Sequence, residues 1–84
     1  METSQHRIRQ NRAGWAERAA RHLKAELKRA DLTYEESAAR LKKNGFTETK
    51  ASIANKLARA TVPAAFFLAA LAAIGAEVVR LEDI

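Results

Sequence analysis

The chain of 84 residues contains no cysteine, one proline, three glycines and few aromatic side chains, at 6%. Without cysteine there is no disulfide framework, no thiolate nucleophile and no thiolate zinc site. So little proline and glycine leaves room for few and short connections. Valine and isoleucine are scarce before the C-terminus, which removes the usual material of a sheet. No run of apolar residues reaches the length needed to span a bilayer; the most apolar stretch, Val62–Ala76, is rich in alanine and too short. The opening METSQHRIRQNR is polar with no apolar run behind it, so no secretory leader is expected.

What is present is alanine, at 19 positions, and charge. Alanine is the strongest helix former, and its abundance predicts an all-α fold. Lys and Arg number 15 against 10 Asp and Glu, a net charge of +5. The excess is polarised: residues 1–30 carry +5, residues 31–60 carry +2, and residues 61–84 carry −2. A basic front and middle suits a polyanionic partner, nucleic acid first among them.

The pattern along the chain predicts a small bundle of four to five helices. Residues 1–12 read as a flexible basic arm with Arg7, Arg9 and Arg12. Residues 13–75 read as one domain. Helix 1 is expected from about Gly14 to Ala30, with Trp15, Ala19, Leu23 and Leu27 as its core stripe. Helix 2 is announced by Thr33 and Glu36, a capping box, and runs to Lys43, where Asn44-Gly45 stops it and Phe46 folds back. Helix 3 follows Thr49 as its cap and ends near Arg59, with Ile53 and Leu57 turned inward. At 100° per residue, Ser52, Asn55 and Arg59 then fall about 200–260° from Ile53, away from the core. Helix 4 starts at Pro63, is apolar nearly all round and closes at Gly75. Residues 76–84 form a tail suited either to a strand that pairs with a second copy or to a final helical turn.

Two helices joined by a short turn, the second with a polar and basic outer face, is the layout of a helix-turn-helix. A major groove about 12 Å wide admits one helix, whose outward side chains meet base edges. In helix 3 the residues so placed are Lys50, Ser52, Asn55, Lys56 and Arg59, with Ala51 small enough to allow close approach. Asparagine suits adenine, and arginine or lysine suits guanine. Thr47, Thr49, Lys42, Lys43 and the arm residues Arg7, Arg9 and Arg12 are the candidates for contacts to the DNA backbone.

Leu32–Leu41, L-T-Y-E-E-S-A-A-R-L, resembles the second helix of phage-repressor-like proteins of the lambda-repressor/Cro type. Gly45-Phe46, Thr49 with Ile53, and the Phe67–Gly75 run resemble the turn, the recognition helix and a later core helix of the same superfamily. That resemblance implies a DNA-binding fold in which helix 3 is the reader. The chain departs from it in the turn, longer by Thr47-Glu48, at Ser37, and at Ala60, where a glycine is usual. Residues 23–75 are more similar still to a short bacterial domain family of uncharacterised function. The shared pattern is L-K-x-E-L-x-R, L-T-Y, S-I-x-N-K and F-F-L-x-A-L-x-A-I-G.

The expectation is a sequence-specific binder of double-stranded DNA, a transcriptional regulator of the bacterial cytoplasm and nucleoid, acting as a homodimer. One short helix reads about 3–5 base pairs, too few for specificity in a genome, and a second copy doubles that. Phe66, Phe67, Val78, Val79, Leu81 and Ile84 are the expected dimer contacts. The alternative is a protein-interaction module, antitoxin-like or an adaptor, that binds an unidentified protein partner through helix 4 and the tail. No enzyme is expected, because serine, histidine and aspartate show no triad spacing and no phosphate loop is present. No cofactor is expected. His22 and Glu26, four residues apart, read as a surface ion pair rather than a metal site.

Overall fold

The structure, a computed structural model, describes residues 12–84. The described chain is all-helical: α1 (Arg12–Arg29), α2 (Tyr34–Lys42), α3 (Lys50–Arg59), α4 (Ala64–Ala73) and a 3₁₀ turn (Leu81–Asp83). The basic-arm residues Arg7 and Arg9 lie outside the described residues. Arg12 is described through its backbone only, as the first residue of α1.

Each start and stop has a local cause. Thr33 Oγ1 accepts the Glu36 N–H at 3.0 Å, and the Glu36 carboxylate accepts the Thr33 N–H at 2.9 Å, which closes the capping box of α2. Thr49 and Ser52 form a second reciprocal box at α3, with Ser52 in the place usually held by glutamate. Pro63 caps α4 through its extended backbone, one residue outside the helix rather than within the first turn.

The four helices end by one shared device. A residue at positive φ follows the helix, and the next N–H reaches back to the carbonyl five residues earlier. These bonds run from Leu32 to Leu27, Phe46 to Leu41, Thr61 to Lys56 and Ala76 to Leu71, at 2.9–3.1 Å. The left-handed residues are Asp31 (φ 59°), Gly45 (87°), Ala60 (56°) and Gly75 (87°). Gly45 and Gly75 adopt this conformation without penalty, whereas Ala60 carries a Cβ there. Ala60→Gly should therefore stabilise the fold. Relief of about 1–2 kcal/mol of left-handed strain, less about 0.4–1 kcal/mol for the looser unfolded chain, leaves a net gain of up to about 1.5 kcal/mol. A thermal melt should move upward by up to about 10 °C for a domain of this size, and a lower midpoint would contradict the assignment of strain to Ala60.

The core is Leu23 and Leu27 from α1, Ala38 and Leu41 from α2, Ile53 and Leu57 from α3, and Phe66, Ala70 and Leu71 from α4, joined by Ala20. α2 packs against α3 and α4, and α1 packs against the same two helices. Ser37, the departure from an apolar residue in α2, is buried and donates its hydroxyl to Thr33 O at 2.9 Å, so it leaves no unsatisfied polar atom. Leu32, Phe46 and Val62 from the connections and Tyr34 from the first turn of α2 close the bundle.

Trp15 departs from the expected core stripe: it is 49% exposed. α1 has 18 residues against 9–10 in the others. At 1.5 Å per residue it outruns the other described helices by about 12 Å, so its first turns project past them. The Trp15 ring is covered instead by the Arg18 guanidinium at 4.3 Å.

No strand occurs among the described residues. The tail has no regular structure over residues 76–80 and then makes the 3₁₀ turn, so within one chain it takes the helical-turn alternative. Arg18 Nε and Nη2 both donate to Ile84 O, at 3.0 and 2.7 Å, and tie the tail to α1. Arg40 donates to Ala73 O at 3.0 Å and supplies a cation at the C-terminal end of α4. Among the described residues no helix is long and apolar enough to cross a membrane.

Candidate nucleic-acid interface

α2 and α3 are consecutive helices joined by residues 43–49. Ile53 and Leu57 bury the inner face of α3 against the bundle. Its outer face carries Ala51, Asn55, Ala58 and Arg59, all exposed, with Lys50 exposed in the first turn. Two small alanines flank Asn55, so nothing on the helix shields it from an approaching surface. α3 itself contains no acidic residue. Lys42 and Lys43 are exposed at the end of α2, and Thr47 and Thr49 are exposed in the connection and at the cap.

The five residues expected to meet bases fall into two groups. Lys50, Asn55 and Arg59 stand free on the surface. Ser52 and Lys56 are half-buried and engaged by Glu48, a residue of the connection. Lys56 Nζ donates to both carboxylate oxygens of Glu48 at 2.9 Å, and Ser52 Oγ donates to Oε1 at 2.6 Å. Lys56 Nζ also lies 5.3 Å from the centre of the Phe66 ring. Thr49 Oγ1 is occupied by the Ser52 N–H at 3.0 Å.

Glu48 was not distinguishable from the sequence, where Thr47-Glu48 reads only as extra length in the turn. Its one signal was the pairing of opposite charges at positions 48 and 56, which becomes a contact only once α3 turns back over the connection. Burial pushes the Glu48 carboxyl up. The hydrogen bonds from Ser52 and Lys56, with the Lys56 charge, outweigh it, and the net pKa lies below the ordinary 4.5. A carboxylate whose folded pKa is depressed stabilises the fold fully above its unfolded value. It loses that contribution as pH falls through the folded one. Glu48→Gln should accordingly lower stability by about 1 kcal/mol at neutral pH. The difference from the parent chain should shrink as pH falls below 4.5. Paired thermal melts across that range check this; a pH-independent difference would refute it. Glu36, also held low by its bonds to Thr33, is common to both chains and cancels.

The residues expected at a dimer contact are also divided. Phe66 is 2% exposed and spent inside the chain's own core, so it has little surface to offer a partner. Phe67, Val79 and Ile84 are half-buried. Val78 and Leu81 are 77% and 74% exposed, and Leu68 on the outer face of α4, not among the expected contacts, is 62% exposed. His22 and Glu26 do not pair: Glu26 takes Arg29, and the His22 ring lies 6.3 Å from that of Phe67. Among the described residues no three potential ligands come together to hold a metal.

The chain belongs to a family of domains of unknown function (DUF6471), whose model matches residues 15–79. The match takes in all of α2, α3 and α4 and all but the first turn of α1, so the family domain is the helical bundle itself. No curated protein and no solved structure matches the chain.

Proposed function

We propose that α2, the 43–49 connection and α3 form a helix-turn-helix, and that the protein binds double-stranded DNA in a sequence-specific way. The observation that carries this reading is the outer face of α3. It presents exposed Asn55, Arg59 and Lys50, small alanines between them and no carboxylate. A surface helix without binding work to do normally intersperses charges of both signs. Lys42 and Lys43, with Thr47 and Thr49, flank this face and hold the phosphates on either side. Arg7, Arg9 and Arg12 extend the contact into the adjoining minor groove.

On this reading the protein is a bacterial transcriptional regulator acting at the nucleoid, a binder and not an enzyme, without a cofactor. It works as a homodimer, because two reading helices are needed for useful specificity. Leu68, Val78 and Leu81 supply the apolar surface for the second copy, together with half-buried Phe67, Val79 and Ile84. The same exposed side chains favour one other reading, an antitoxin-like or adaptor module that captures a different protein through α4 and the tail.

Selection of bound sequences from random duplex DNA at two salt concentrations tests the proposal. A palindrome with half-sites about one helical turn apart, retained at the higher salt, is the expected result. Binding without sequence enrichment that vanishes as salt rises would reduce the basic surface to general electrostatics and favour the protein-partner reading.

A further inference from the structure

We infer that Glu48 is an intramolecular counter-ion that withholds Lys56 and Ser52 from the DNA, leaving base reading to Lys50, Asn55 and Arg59. This inference rests on the reading of α3 as the DNA-facing helix.

The geometry is specific. Glu48 lies just before the cap of α3, and its carboxylate receives three hydrogen bonds from the first two turns. Two come from Lys56 Nζ and one from Ser52 Oγ. The Glu48 side chain is 8% exposed and that of Lys56 28%, so the pair is largely shielded from solvent. Phe66 flanks the ammonium and adds the attraction of a ring face. The carboxylate also sits at the positive end of the α3 dipole, which favours it further. A phosphate or a base edge that recruited Lys56 would have to break both bonds and leave Glu48 unpaired next to a polyanion. Among the described residues, exposed Lys50 and Arg59 have no such partner to surrender.

The functional consequence concerns specificity. An unrestrained lysine at the centre of the interface would reach phosphates of any sequence. Holding it back lowers non-specific affinity, while the outward Asn55 and Arg59 keep their discrimination between bases. The longer turn is what places the carboxylate there.

Two measurements test this together. The first is amine-specific chemical labelling of the free protein, read residue by residue by mass spectrometry. Lys56 is expected to label several-fold more slowly than exposed Lys50, and Glu48→Gln should bring the two close together. Glu48→Asp, which keeps the charge but shortens the reach, should do the same. Equal labelling of Lys56 in all three chains would overturn the inference. The second is the salt dependence of duplex binding. The slope of log affinity against log salt should steepen by about 0.9 in Glu48→Gln, one added phosphate contact. It should return to the parent value in Glu48→Gln/Lys56→Met, where neither charge remains. A slope shallower than the parent's in that double variant would show that Lys56 already contacts DNA and would overturn the inference. A parent chain that binds no duplex would instead overturn the DNA-binding reading, and the labelling result would still decide whether Glu48 sequesters Lys56. Thermal melts of every variant confirm that each is folded, and Lys56→Arg, which preserves the pair, should keep the parent slope.

Discussion

Replacing Asn55 and Arg59 together by alanine should lower affinity for the selected duplex at least thirtyfold while leaving the fold intact. Each bidentate contact to a base is worth about 1–3 kcal/mol, or roughly 5- to 150-fold. The two side chains are four residues apart on one exposed face of α3, so one groove meets both. Neither packs in the core, and alanine is a better helix former than asparagine. The removal of Arg59 from the last turn costs about 0.3–1 kcal/mol of dipole compensation, which is small beside the loss of binding. The measurement is a titration of labelled selected duplex and of a scrambled one, with circular dichroism melts alongside. Specific binding should fall steeply and binding to the scrambled duplex only modestly. Equal affinity of variant and parent for the selected duplex would remove α3 as the reading helix.

Ile53→Ala should remove a large part of the protein's stability. Ile53 is 1% exposed and, with Leu57, forms the inner face of α3. Truncating a buried isoleucine costs about 2–5 kcal/mol, the lost transfer energy plus that of the cavity left behind. A chain of 84 residues has about 4–12 kcal/mol of stability in all. Denaturant titration should show the midpoint fall by a large fraction, and DNA binding should be lost with the fold rather than independently of it. The contrast with Asn55, two residues away on the same helix, is the point: one face holds the helix and the other is free to bind. A midpoint within experimental scatter of the parent would mean that α3 is not anchored by this side chain.

Much of the fold was legible along the chain because its signals are local. Thr33 with Glu36, Thr49, Gly45 and Gly75 act within a turn of their own positions, and the helix ends fall within two residues of where they point. The inward positions Leu23, Leu27, Leu41, Ile53 and Leu57 followed from helical period alone. Trp15 did not, since period cannot say how far a helix projects past its neighbours. The tail stayed open on sequence, since Val78, Val79 and Leu81 suit a strand and Leu81 with Ile84 suit a final turn; among the described residues of one chain the turn forms.

At the candidate site the same division holds. The sequence by itself determined that α3 would bury Ile53 and Leu57 and turn Asn55 and Arg59 outward, because a helix of known start has fixed angular positions. It also determined the all-helical class, through its alanine content and its caps. Only the tertiary structure decided which cations remain available. Glu48 and Lys56 lie two helical turns apart, and their meeting depends on how the connection folds back over α3 and on Phe66 arriving from α4. Phe66 was placed in the same way, drawn into the core although its helix is apolar on every side. Such choices depend on which elements meet in space, and helical period carries no information about that.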